Sequence, residues 1–72
     1  MLNTEQSARR MRLARVLRRA TEVFDSTETA IYWIQTPNAA FASRAPIGLM
    51  DTDAEYQSVL DTLSRIEEGA LS

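Results

Sequence analysis

Three groups of charged side chains stand close enough together in this chain to suggest chemistry. Asp51, Asp53 and Glu55 lie two residues apart, as ligands do at the start of a calcium loop. The glycine and the later bidentate glutamate that such a loop needs are not at the required offsets, so these acids read as helix-start residues favoured by the helix dipole. Arg9, Arg10, Arg12, Arg15, Arg18 and Arg19 crowd the first twenty residues, and the guanidinium fork suits phosphate and carboxylate alike. Arg65, Glu67 and Glu68 precede the tail Gly69, Ala70, Leu71 and Ser72, which taken alone is an ordinary charged helix end with a fraying terminus. Histidine and cysteine are absent, so the usual general base, the activated thiol and the thiolate metal site are all missing. No catalytic, cofactor-binding or metal-ligating residue is assigned, and an enzyme is the least favoured class.

The charge is divided along the chain. Residues 1–20 hold six arginines against Glu5, a net +5, and residues 21–72 hold Arg44 and Arg65 against nine carboxylates, a net −7. Such asymmetry fits two surfaces with different partners, or subunits paired head to tail. All eight cationic side chains are arginine, which a GC-rich genome produces equally well. The arginine-rich first helix leaves open a DNA-associated regulator or an oligomerisation module. At 72 residues the chain is one domain at most and marginal alone, so a homodimer or a hetero-oligomer is expected. No apolar run reaches the roughly 18 residues of a membrane span and no signal peptide follows Met1, so a cytoplasmic protein without a membrane partner is expected.

The elements that hold these groups are helices. The periodicity predicts an all-α fold: a small bundle with two longer helices, N- and C-terminal, and two or three short helices between them. The first helix starts near Asn3 or Thr4 and buries Leu13, Val16, Leu17, Ala20, Val23 and Phe24 at i, i+3, i+4 and i+7, with Arg12, Arg15 and Arg19 on the opposite side. It stops at Asp25-Ser26. Asp25 then caps a second helix with Glu28 at N3, carrying Ala30, Ile31, Trp33 and Ile34. Thr36 caps a very short third helix with Pro37 at its first position, and Pro46 opens another turn through Met50. Thr52-Asp53-Ala54-Glu55 is a capping box for the last helix, whose buried stripe is Tyr56, Val59, Leu60, Leu63 and Ile66. Arg18–Glu22 and Asp61–Arg65 are i, i+4 pairs, and Gly69 is the expected left-handed residue just past the helix end. Trp33 reads as a core filler, with an interface anchor as the alternative. Pro37 and Pro46 read as helix-start residues, and Asn38 as a hydrogen-bonding partner of a neighbouring loop.

Residues from about Ala20 to Ser72 resemble the toxin-binding domain of Xre/MbcA/ParS-type antitoxins. The matching pieces, in order, are Val23-Phe24-Asp25-Ser26, Ala30 to Trp33, and Thr36-Pro37-Asn38. They continue with Arg44, Pro46, Ile47, Leu49 and Met50, then Glu55-Tyr56 to Val59-Leu60, then Arg65-Ile66-Glu67 with Gly69 and a short tail. The resemblance implies a protein that neutralises a RES-type toxin, an enzyme that consumes NAD or transfers ADP-ribose from it. It implies that the C-terminal helix and tail enter the mouth of the toxin's active site. On that reading Arg65, Glu67, Glu68, Gly69, Ala70, Leu71 and Ser72 are the toxin-binding residues, and inhibition asks no chemistry of the antitoxin. Residues 1–24 are then a basic N-terminal helix and residues 25–72 the toxin-binding helical domain, together one compact unit. Many members carry a helix-turn-helix domain ahead of this region, for which the residues before Asp25 leave no room. The family also often has glycines where this chain has Ala42-Ser43, and a larger apolar residue where it has Leu71.

Overall fold

The computed structural model of the chain describes residues 4–71, Leu71 through its backbone alone. Three α-helices, α1 (Thr4–Phe24), α2 (Thr27–Gln35) and α3 (Asp53–Leu71), are joined by two 3-10 turns, Ala39–Phe41 and Pro46–Gly48. No strand occurs among the described residues. This is the all-α bundle that the apolar spacing predicts, with long helices at both ends of the chain.

The six apolar positions of α1 are all buried or half-buried. Val16 and Ala20 join Ala30 and Ile34 of α2, Phe41, Leu49 and Met50 of the connecting segment, and Tyr56, Val59 and Leu63 of α3 in one core. Each fully buried aliphatic side chain of this set stabilises the fold by roughly 1.5–3 kcal/mol. Ile31, by contrast, exposes 40 % of its surface, and Tyr32 beside it exposes 71 %.

Two hydrogen-bonded contacts set the direction of the long helices. Arg12 Nη1 donates to the carbonyls of Met50 (3.1 Å) and Asp51 (3.2 Å), just ahead of α3. Arg19 meets Glu67 near the opposite end of the same helix. α1 and α3 therefore run the same way, while the two-residue corner Asp25-Ser26 folds α2 back onto α1.

The caps differ from the expected ones in three places, each for a local reason. Asp25 does not cap α2. It takes φ 53°, a left-handed conformation that Asp tolerates better than most residues, and so terminates α1. The capping role passes to Ser26, whose Oγ accepts from Thr29 N at 3.1 Å. Thr36 does not cap the first 3-10 turn, and Pro37 is not its first residue. Thr36 closes α2, with its Oγ1 donating to the Tyr32 carbonyl at 2.6 Å, and Pro37 lies ahead of the true cap, Asn38. The Asn38 Oδ1 accepts from Ala40 N at 2.9 Å. Its backbone pairs with the far side of the turn, Asn38 N donating to the Arg44 carbonyl and Ser43 N to the Asn38 carbonyl. Gly69, finally, is not left-handed: α3 continues through it to Leu71.

Two expected punctuation marks are present. Pro46 is buried at the start of the second 3-10 turn, where its missing N–H costs nothing. The Thr52 Oγ1 accepts from Glu55 N at 3.2 Å and donates to the Glu55 carboxylate at 3.1 Å. Ala42 and Ser43 both have positive φ, 55° and 66°. Consecutive left-handed residues with side chains carry strain of roughly 1–2 kcal/mol each, and glycine is the residue that relieves it.

Candidate functional site

The arginines of α1 split into two sets. Arg9, Arg12 and Arg19 turn toward α3, and Arg10, Arg15 and Arg18 stay exposed. The expectation that Arg12 and Arg19 face away from the core is corrected here. Arg12, Val16, Arg19 and Val23 stand at i, i+4, i+7 and i+11, so they form one stripe that alternates arginine with buried or half-buried valine. Because α1 packs against α2 and α3 together, its covered arc is wider than its apolar stripe. The arginines at the edge lay their stems along α3 and carry their charge to its ends. That alternation is a sequence signal that points to their placement, and the apolar i, i+3, i+4 spacing alone passes over it.

At the start of α3, Arg9 pairs with Asp51, and Arg44 pairs with Glu55 at 3.0 Å while donating to the Gly48 carbonyl at 3.0 Å. Two of the three closely spaced acids are thus ion-paired, and Asp53 occupies the first turn of α3, where the dipole favours it. Arg9 and Asp51 line an open groove of about 470 Å³ together with Thr4, Glu5, Ala8 and Arg12.

The other end of α3 holds the residues singled out for partner contact. Arg19 grips Glu67 with both terminal nitrogens, at 2.7 and 3.1 Å, and both side chains are only about one-third exposed (31 % and 39 %). The hydrogen bond from Arg19 holds the Glu67 carboxyl below the usual carboxylate range, with partial burial opposing it and the guanidinium charge adding to it. Arg19 is raised in turn, first by its hydrogen bond to Glu67, and to a smaller extent by the charges of Glu67 and Glu22, against the effect of burial. A lowered carboxyl contributes stability that is present above its unfolded pKa and lost as pH falls through the folded one. The raised guanidinium contributes below its own range, which acidification never leaves. Acidification from near pH 7 to near pH 3 is therefore expected to lower the Tm of the wild type more than that of Glu67→Gln, the two converging at the acid end. Thermal melts followed by circular dichroism check this.

Beyond Glu67 none of the described side chains joins the core. Glu68, Gly69 and Ala70 are exposed, and a Cβ added at Gly69 meets no described atom within 4 Å. The Leu71 side chain and Ser72 lie outside the described residues. Arg65 is exposed on the outer side of α3, and neither Asp61–Arg65 nor Arg18–Glu22 forms an ion pair among the described residues. The structure thus brings Arg65, Glu67, Glu68, Gly69 and Ala70 onto the last turns of one helix and fastens Glu67 to α1. Trp33 lies elsewhere, half-buried, its ring centroid 5.9 Å from Phe24 and 6.2 Å from Phe41.

Fold and site together describe a helical scaffold with charged rims at both ends of its third helix. Residues 19–69 match the antitoxin Xre/MbcA/ParS C-terminal toxin-binding domain, which spans most of the sequence, and the chain belongs to that family. It is an antitoxin by that membership, with a toxin as its partner. No curated protein and no solved structure matches the chain. The match begins at Arg19 and ends at Gly69, two residues past Glu67. No helix among the described residues is long and apolar enough to cross a membrane.

Proposed function

We propose that this chain neutralises a RES-type toxin, one that consumes NAD or transfers ADP-ribose from it, by setting the end of α3 and the following tail in the toxin's active-site entrance. The observation that carries this reading is that the last turn of α3 breaks the local rules for a helix end. Helix C-termini favour basic side chains, yet no basic residue lies in this last turn and Glu68 stands at the negative pole of the dipole. Glycine inside a helix costs about 1 kcal/mol relative to alanine, and no left-handed φ requires glycine at position 69. Violations of this kind are expected where an element serves a partner rather than its own fold.

The chemistry of the end suits a nucleotide pocket. Sites that hold phosphates are lined with arginine or with helix N-termini, which attract anions. Glu68 and the carboxylate of a chain ending at Ser72 would meet such a lining, with Leu71 over an apolar slot and Arg65 at the rim. Gly69 allows the toxin's backbone to approach closely. Inhibition is by occupancy, in the cytoplasm, within a toxin–antitoxin oligomer whose two halves of α1 and α3 stay packed as one unit.

A nucleic-acid role for α1 is weaker. Three of its six arginines are engaged by Asp51, the Met50 and Asp51 carbonyls and Glu67, which leaves Arg10, Arg15 and Arg18 uncommitted among the described residues.

Co-expression tests the reading. Induction of a RES-domain toxin from the same operon is expected to arrest growth and deplete NAD, and the chain supplied in trans restores both. Persistent NAD depletion in the presence of soluble chain would contradict it.

A further inference from the structure

We infer that Arg19 is a positioning residue for the toxin-facing end of α3: through its two-pronged bond to Glu67 it holds the last turn in the helical state that the toxin receives. The inference rests on the occupancy reading above and assigns Glu67 an inward role within it. The last turn is poor at holding itself. It contains Gly69, carries carboxylates at the wrong pole of the dipole, and none of its described side chains belongs to the core. A terminus of that composition frays unless something ties it down. A tie of this kind is the pair Arg19–Glu67, four residues before Leu71, closed by two hydrogen bonds at 2.7 and 3.1 Å and one-third exposed on each side.

The geometry favours arginine here over any other cation. Arg19 sits on the Arg12–Val16–Arg19–Val23 stripe of α1, whose neighbours are buried or half-buried, so the base of its side chain is fixed by packing. Its planar fork matches both carboxylate oxygens at once, which fixes orientation as well as distance. At the opposite end, Arg9 and Arg12 tie the start of α3 to α1 in the same manner. α3 is thereby held at both ends by one helix. Glu67, being committed to Arg19, acts on the toxin through the helix it anchors rather than by entering the toxin itself.

A partner that accepts only the ordered end binds in proportion to the fraction of molecules in which that end is formed. The consequence is kinetic. Loss of the clamp lowers the association rate with the toxin and leaves dissociation of the formed complex nearly unchanged.

The test uses the full chain and a purified RES-domain toxin in a surface-binding experiment, with Arg19→Glu, Glu67→Arg, and the reversed pair carrying both changes. Thermal melts accompany each variant, and amide exchange reports on residues 67–70. Each single variant is expected to associate about tenfold more slowly, with faster exchange in the last turn. The reversed pair is expected to recover most of the rate. Single variants that associate like the wild type overturn the inference. So does a loss carried by the dissociation rate, or a reversed pair that fails to recover, since both place Glu67 in contact with the toxin. A wild-type chain that does not bind the toxin at all contradicts the functional reading instead, and so the two failures are told apart.

Discussion

Replacing Trp33 with alanine is expected to cost about 3 kcal/mol, the lower end of the range for truncating a large aromatic, because the ring is half-buried. A 72-residue domain has about 4–11 kcal/mol at about 0.05–0.15 kcal/mol per residue, and small domains lie toward the bottom of such a range. The loss therefore removes a large share of the total. The physical reason is the position of the ring. Trp33 lies between Phe24 at the end of α1 and Phe41 in the first 3-10 turn, tilted by 49° to one and nearly perpendicular, at 78°, to the other. Edge-to-face geometry of this kind adds to simple burial. One side chain thus joins α1, α2 and the connecting segment, and its removal loosens all three. Trp33→Phe keeps most of the contact and is expected to cost less than about 1.5 kcal/mol. Urea titration followed by circular dichroism measures both. An alanine variant with an unchanged midpoint would move Trp33 from the core to the partner surface.

Deleting residues 69–72 is expected to do the opposite: leave the fold in place and abolish neutralisation. None of the described residues in that stretch belongs to the core, and the change in stability should stay within about 0.5 kcal/mol, as for exposed surface positions. On the proposed reading the toxin contact goes with these residues, because Leu71 and the space around Gly69 are removed together. Growth of cells co-expressing the toxin reads the effect, and a circular dichroism melt of the same variant shows that it is folded. Continued protection by a folded, shortened chain would remove the tail from the mechanism.

Much of this architecture can be read from residue spacing, and the exceptions share one cause. The buried stripes of α1 and α3 follow from i, i+3, i+4 and i+7 spacing, since a single wide apolar face can only point inward. The Thr52–Glu55 box is a local device with both members inside one turn, so its residues suffice to specify it. The α1–α2 corner did not follow from local rules, because Asp25 and Ser26 are both good caps and a tertiary constraint chooses between them. With α2 folded back onto α1, Asp25 must turn left-handed, which leaves Ser26 as the cap. The same holds for Thr36 and Asn38. Gly69 suits a helix stop by residue type, yet α3 continues through it to Leu71.

The candidate site divides in the same way. Arg65, Glu67 and Glu68 stood out as charge at a chain end, which sequence shows directly. The commitment of Glu67 to Arg19 spans 48 residues, and only the parallel packing of α1 and α3 brings the two together. The alternation of arginine with valine along α1 was the one available clue.

The most direct test of the occupancy claim is the form of inhibition. A purified RES-domain toxin is assayed for NAD turnover at several concentrations of the chain and of NAD. If the end of α3 fills the NAD entrance, inhibition is competitive: the apparent inhibition constant rises in proportion to NAD, and saturating NAD restores the full rate. Inhibition whose strength is independent of NAD concentration would place the chain away from the entrance and contradict the account.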